Sequence, residues 1–313
     1  MMKNTLLTAG IGAVLLGVYF AAPNSFVLDL AIRIILTAVV VIGLNLLFGY
    51  AGQISLGHGA FIGIGSYGSA IAVGSLQWHP VLAMIGIAVG TGLLANIIAR
   101  PILSLKGHHL AMATLGIGVI VTIVLNNEVT WTGGSDGLVV QPLRIFREDI
   151  HGGAQWYAIA AAVLLAAMWS ALNLVDSPAG RALKAIHGSE VAARVAGVDV
   201  AGLKVSIFTV SAVLASLAGS LEAHYLGFIT PNTAGFGRSI MLMTMVVVGG
   251  MGSVIGSIVG ATALLLLPQF LVSVSAWETA VFGLVLVLTM IFMPKGLVPT
   301  LRGLQRRRMS WSR

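Results

Sequence analysis

SIMLMTMVVVGGMGSVIGSIVGATALLLLPQFLV, residues 239–272, runs without a single Asp, Glu, Lys or Arg. A bilayer's hydrocarbon core takes about 20 apolar residues as a helix. Residues 252–272 meet that length and residues 239–250 fall short of it. Between them stands Gly249-Gly250-Met251-Gly252. The stretch therefore reads as two apolar segments joined by a turn inside a membrane protein. Irregular backbone at that depth is tolerated only where it is buried in protein or lines a cavity. Gly249, Gly250 and Gly252 are thus candidates for a translocation path.

The rest of the chain agrees with a membrane setting. Of 313 residues, 58% are hydrophobic and only 9% charged, with a mean hydropathy of +1.00. Soluble domains carry about 25% charged residues, so this chain cannot cover a globule of its size with charge. The 39 glycines suit closely packed transmembrane helices, where small residues let backbones approach. Zero cysteines exclude disulfides, thiolate metal sites and a cysteine nucleophile.

Working outward, the other candidate spans are 5–22, 29–48, 58–76, 81–99, 108–126, 155–175, 205–226 and 279–294. The segment 5–22 reads as a retained span, with a cleaved signal peptide as the alternative. Basic residues set the orientation. Lys3, Arg100, Lys106, Arg181, Lys184, Arg194, Lys204, Lys295, Arg302, Arg306, Arg307, Arg308 and Arg313 fall on one side, which is then cytoplasmic. The 127–154 loop is external. Parity requires the 239–272 stretch to enter from outside and return outside. The expected fold is an all-α polytopic membrane protein with about ten transmembrane or half-spanning helices, both termini inside.

Gly63-Ile64-Gly65-Ser66-Tyr67-Gly68 fits the G-x-G-x-x-G dinucleotide fingerprint. It lacks an acidic residue about 20 positions on, so helix packing explains these glycines, as it does Gly252, Gly256 and Gly260. No Gly-Lys dipeptide occurs, so there is no phosphate loop and no sign of an ATPase in this chain. There is no metal-ligand spacing and no catalytic constellation. His108 and His109, being adjacent, read as a headgroup-level pair on different helix faces. Intramembrane charges are expensive and usually functional; they are Arg33, Glu222 and the titratable His58 and His224. Asp29 and Arg33 stand one turn apart and can pair, while Glu222 and His224 read as reaching the outer interface.

Two segments carry more. Residues 44–61 mix polar side chains with glycines inside apolar flanks: Asn45, Gly49, Tyr50, Gly52, Gln53, Ser55, Gly57 and His58. A broken helix or tight turn near the substrate path fits better than a plain loop. In 176–204, Ser177 with Pro178 reads as an N-cap and N1, Gly188 as the C′ residue of that helix and Gly197 as that of a second. Ser189 caps the second helix, with Glu190 in its first turn. Two capped helices make a compact knob, a docking surface for a cytoplasmic partner.

These residues carry a resemblance. GLNLLFGYAGQISLGHGAFIGIGSYGSA (43–70), HLAMATLGIGVIVTIVLNN (109–127) with TGGSDGL (132–138), SPAGRALKAIHGSEVAARVAGV (177–198), VVVGGMGSVIGSIVGA (246–261) and PKGL (294–297) resemble the permeases of branched-chain amino-acid ABC importers, of the LivM type. The resemblance covers nearly the whole chain as a single permease domain (1–313). It implies a bacterial inner-membrane subunit that pairs with a second homologous permease, two ATPase subunits and a periplasmic binding protein, with no cofactor and no nucleic acid. It implies that 176–204 carries the ATPase-coupling loop, matched at Ser177, Gly180, Arg181, Ala185, Glu190, Ala192, Ala193 and Gly197. His187 departs from the family's usual arginine. Thr132, Gly133, Gly134, Asp136 and Gly137 form an external loop motif, and 295–313 a basic cytoplasmic tail. Family members also carry urea, short amides and aromatic acids. The rival from another class is a secondary transporter or channel that works without ATPases.

Overall fold

The computed structural model describes residues 2–22, 24–105, 107–145, 148–150, 152–270, 283–284, 287–288, 291 and 296–300. The tail from residue 301, Lys106, Lys295 and most of the expected span 279–294 lie outside the described residues. Nine of the expected segments are helices: α1 (Met2–Ala21), α2 (Ser25–Asn45), α3 (His58–Gly74), α4 (Pro80–Ile102), α5 (His108–Asn127), α7 (Gly153–Asp176), α10 (Val200–Leu226), α11 (Phe236–Gly249) and α12 (Val254–Phe270). Three short ones sit between them: α6 (Val129–Thr132), α8 (Pro178–Gly188) and α9 (Glu190–Val195). Among the described residues, six helices are long and apolar enough to cross a membrane. The pair α11–α12 bends by 120° at its break, where the glycine run predicts a turn.

A helix that is hydrophobic all round is a buried helix, and α2 is that helix. Ile32 and every residue from Ile35 to Asn45 are buried, with α7, α10, α11 and α12 packed around it. Helix α1 is mostly exposed and leans on α7. Asn4 near its start donates to Asp176 (2.8 Å) at the foot of the α8–α9 knob. That knob marks the end called inner here, following the charge pattern.

Two departures from simple spans decide where the site lies. Helix α3 begins part-way across the molecule. His58, its first residue, bonds Ser211, the twelfth residue of α10, about 17 Å along that helix at 1.5 Å per residue. Residues 51–57 therefore run non-helically from the inner end to mid-depth. From the opposite side, residues 227–235, expected as an external connection, dip inward. Pro231 and Ala234 are buried, and Thr122 of α5 donates to the Ala234 carbonyl (3.3 Å). Helix α11 starts from that depth. Both irregular segments are largely packed against protein, with Gly52, Phe228 and Asn232 exposed.

Glycines make the packing possible. A Cβ on Gly65 would stand 2.1 Å from the Ser216 carbonyl oxygen, one on Gly219 2.3 Å from that of Ile62, and one on Gly63 2.5 Å from the Ala234 side chain. Gly249 lies on Gly256 and Gly260 in the same way. Two local expectations need correcting. Gly188 ends α8 without the left-handed conformation of a C′ residue. The rings of His108 and His109 touch, with centroids 4.2 Å apart, because at a helix start no preceding turn restrains the first side chain.

Candidate functional site

The residues singled out in 44–61 and 249–252 fall into three connected places. The first is an inner junction. Asn45, buried where α2 ends, donates through Nδ2 to the Ser257 hydroxyl (2.8 Å) and the Ser253 carbonyl (2.9 Å), with a longer contact to the Gly250 carbonyl (3.4 Å). Its Oδ1 accepts from the Gly252 amide (2.9 Å). One side chain thus replaces the backbone partners that the α11–α12 turn lacks. Gly250 (φ 121°) and Gly252 (φ 71°) supply the left-handed geometry. Gly49 must be glycine for another reason: a Cβ there would lie 1.9 Å from Asn45 Oδ1. Residues Leu46–Tyr50 continue α2 as a π-turn, and such bulges are frequent at functional sites.

The second place joins that turn to the knob. Gly52 (φ 69°) leaves room only for His187, whose Nδ1 would be 3.2 Å from a Cβ. Gln53 donates to Glu190 Oε1 (3.4 Å), which also pairs with Lys204. Lys184 stands over the Tyr50 ring at 5.8 Å. Ser177 and Ser189 cap α8 and α9 by accepting from Gly180 (3.3 Å) and Ala192 (3.2 Å). Gly197 (φ 81°) turns the chain out of α9. Ala193 packs with Ile186 and Val200 inside the knob, while Arg181, Ala185 and Ala192 face outward. Val191 (69%) and Val195 (86%) are strongly exposed, an apolar face on a capped helix.

The third place is at mid-depth, where α3 and α11 begin. His58 is fully buried and holds Ser55 Oγ (2.9 Å) by Nδ1 and Ser211 Oγ (2.6 Å) by Nε2. The Gly59 amide donates to Ser239 Oγ (2.9 Å). The Leu56 amide donates to Thr114 Oγ1 (3.0 Å), and a Cβ on Gly57 would meet the Thr114 carbonyl at 2.3 Å. Two helix amino ends, each with a positive dipole, therefore face one another between α5 and α10.

The external motif stands apart from all three. Gly133, Gly134 and Gly137 have φ of 72°, 60° and 81°. Thr132 Oγ1 donates to the Leu125 carbonyl (2.8 Å) and accepts from the Gly134 amide (3.2 Å). Leu138 and Val139 pair antiparallel with Ile229 and Phe228. Together these make an outer clasp between the loop after α5 and the loop after α10. Asp136 is exposed.

Sequence reasoning did not single out Arg238, which stands just before the apolar run that begins at Ser239. The structure places Arg238 in the first turn of α11, with both Glu222 carboxylate oxygens 2.9 Å from one guanidinium nitrogen. A charge beside an apolar run was the available signal. Asp29 accepts from Arg33 and Tyr225 (2.9 and 2.6 Å), and His224 bonds the Gln141 carbonyl (2.8 Å) at the outer end.

Comparison with known proteins follows the same lines. The family described as branched-chain amino acid transport system / permease component matches residues 26–294. The high-affinity branched-chain amino acid transport system permease protein LivM of Salmonella typhimurium is 30% identical over 305 residues, covering 88% of this chain and 70% of that protein. LivM of Escherichia coli K12 matches to the same extent. The permease protein LivH of Salmonella typhimurium is 26% identical over 286 residues, covering 83% of this chain and 90% of that protein. No solved structure matches.

Proposed function

We propose, since this chain belongs to the permease components of branched-chain amino acid transport systems, that it forms one half of the transmembrane path of an ATP-driven importer for those amino acids. A homologous second permease supplies the other half. Two ATPase subunits hydrolyse ATP, a binding protein delivers substrate from outside, and the setting is a bacterial inner membrane. The chain itself carries out no reaction.

The observation that carries this reading is the continuous line from knob to turn. The exposed valines of α9 offer an ATPase an apolar face. Glu190 joins that helix to Gln53, Gln53 lies three residues beyond the π-turn, and Asn45 before it holds the α11–α12 turn. A push on the knob thus reaches both broken helices through hydrogen bonds. At the other end, the clasp presents Val139 (78% exposed) and Phe228 (46%) to a binding protein.

The test uses the tagged chain expressed with its transport system. Val191→Asp with Val195→Asp is expected to stay in the membrane, to lose co-purifying ATPase and to lose ATP-dependent uptake of leucine. Uptake that persists without ATP or ATPase would favour a secondary transporter or channel. Uptake of urea, short amides or aromatic acids in place of leucine would move the substrate and leave the mechanism.

A further inference from the structure

We propose that the Glu222–Arg238 pair is a zwitterion-recognition element in the wall of the translocation path, taking the carboxylate and ammonium of an α-amino acid at once. The proposal rests on the reading of this chain as an amino-acid permease and says where, and by which groups, the substrate is recognised.

Three observations converge on it. The first is placement against local preference. Arg238 occupies the first turn of α11, the end where a helix dipole disfavours cations. Residues that break a local rule without benefit to their own helix mark functional sites. The second is depth. Ser239, the next residue, bonds the first turn of α3, which begins at mid-depth beside Ser211. Glu222 lies four residues short of the end of α10, a helix of about 40 Å that exceeds the roughly 30 Å hydrocarbon core. The pair spans from the outer half of the bilayer toward its centre.

The third is exposure. The side chains are 26% and 18% exposed, next to exposed Phe236, Gly237 and Ile240. Charges held against lipid tails are expensive, and intramembrane charges line water-filled cavities or protein interiors. A pair that stays partly open at this depth therefore faces an aqueous path. It sits just outward of the place where α3 and α11 meet, so an incoming solute reaches it before the His58–Ser239 crossing.

The selectivity follows from charge balance. Opening a paired Arg and Glu in a low-dielectric path leaves two uncompensated charges, and breaking one partner of a buried pair is strongly unfavourable. A zwitterion replaces each lost partner at once: its carboxylate on Arg238, its ammonium on Glu222. A neutral amide, an amine or a simple acid satisfies at most one of them. The pair thus favours amino acids over the urea, amide and aromatic-acid substrates carried by similar permeases.

The experiment exploits the absence of cysteine in the chain. Gly237 has open space where a Cβ would stand, so Gly237→Cys is a tolerated reporter in the assembled importer. It is expected to react with a membrane-impermeant cationic thiosulfonate about tenfold faster than Val14→Cys on the exposed face of α1, with leucine slowing the reaction about tenfold. Leucinamide, isopentylamine and 4-methylpentanoate are expected to give no protection. Arg238→Gln or Glu222→Gln is expected to abolish protection by leucine while the reporter still reacts. A reporter no faster than Val14→Cys places the pair against lipid or a partner subunit and overturns the proposal. Equal protection by leucine and the single-charge analogues, or retained protection in either Gln variant, leaves a structural lock and also overturns it. ATP-driven leucine uptake by the Gly237→Cys importer is measured alongside. Its absence would count against the amino-acid permease reading, whereas uptake without protection would count against the recognition element alone.

Discussion

At the inner junction one side chain, Asn45, reaches across more than 200 residues to four groups in and just after the α11–α12 turn, whereas at the outer clasp glycine conformations, a two-residue strand pair and the short-range bonds of Thr132 do the holding. Both places turn the chain sharply and both are glycine-rich. The inner one is joined to the knob by the Gln53–Glu190 bond, the route along which we propose that movement passes. The outer one is a local latch whose bonds stay within the two loops it joins and the adjoining end of α5. This contrast suits an importer in which force arrives from inside and the outer mouth only opens or closes.

The largest expected effect tests the wiring at its centre. Asn45→Leu leaves the Gly252 amide without its acceptor and withdraws a donor from two carbonyls. Leaving a buried donor unpaired costs about 1–3 kcal/mol, so the total loss is about 3 kcal/mol, read as a lower thermal midpoint of the detergent-purified protein. An unchanged midpoint would mean that the glycines hold the inner turn as they hold the outer one, and the contrast would fail.

The next effect separates transmission from stability. Lys204 is 3% exposed and its partner Glu190 26%. In Lys204→Met, Glu190 can turn to water, so the stability cost is about 1–2 kcal/mol, below the range for fully buried pairs. The knob then loses its ion pair to α10 and keeps the packing of Ile186 and Ala193 on Val200. ATPase should still co-purify through Val191 and Val195, while leucine taken up per ATP hydrolysed falls severalfold. Normal uptake per ATP would remove Glu190 and Lys204 from the line of transmission.

Much of the inner region was legible in the sequence. Glycine and serine chemistry is local, so the turn at 249–252 and the caps at Ser177 and Ser189 can be read from neighbours in the chain. The span pattern was legible because hydropathy is local too. The partners of Asn45 were hidden: they lie more than 200 residues away, and a polar residue in an apolar run says that a partner exists without saying which. The mid-depth start of α3 was hidden for the same reason. Residues 58–74 carry enough apolar character for a span, and only packing on Ser211 and Ser239 reveals their depth. Residues 227–235 misled outright, since Thr230, Pro231, Asn232 and Thr233 look like an external loop until packing against α3 and α5 draws them inward.

At the clasp the expected effect is comparable in stability but narrower in reach. In Gly133→Ala the new Cβ would stand 2.1 Å from the Gly137 carbonyl oxygen at a φ of 72°, and strained backbone of this kind costs about 1–3 kcal/mol. The damage should stay local: faster amide exchange over 132–140, with the exchange of α11 and α12 unchanged. Faster exchange at Gly252 would show that the latch and the junction are coupled after all.

The smallest effect falls on Gly197, at the edge of the transmitting region. Its φ is 81° and nothing lies within 4 Å of where a Cβ would be, so Gly197→Ala meets no clash. The remaining cost is that of holding an L-residue left-handed, about 1–2 kcal/mol. Asn adopts that conformation more readily, because its short polar side chain bonds locally. If Gly197 serves only to end α9, Gly197→Asn should recover most of the stability lost in Gly197→Ala, and ATPase co-purification should be normal in both. If the open space around Gly197 is where an ATPase sits, Gly197→Asn should instead keep the thermal midpoint of the isolated permease and lose the ATPase. The two measurements on one variant thus tell whether the inner region's contacts stop at the knob or continue into the next subunit.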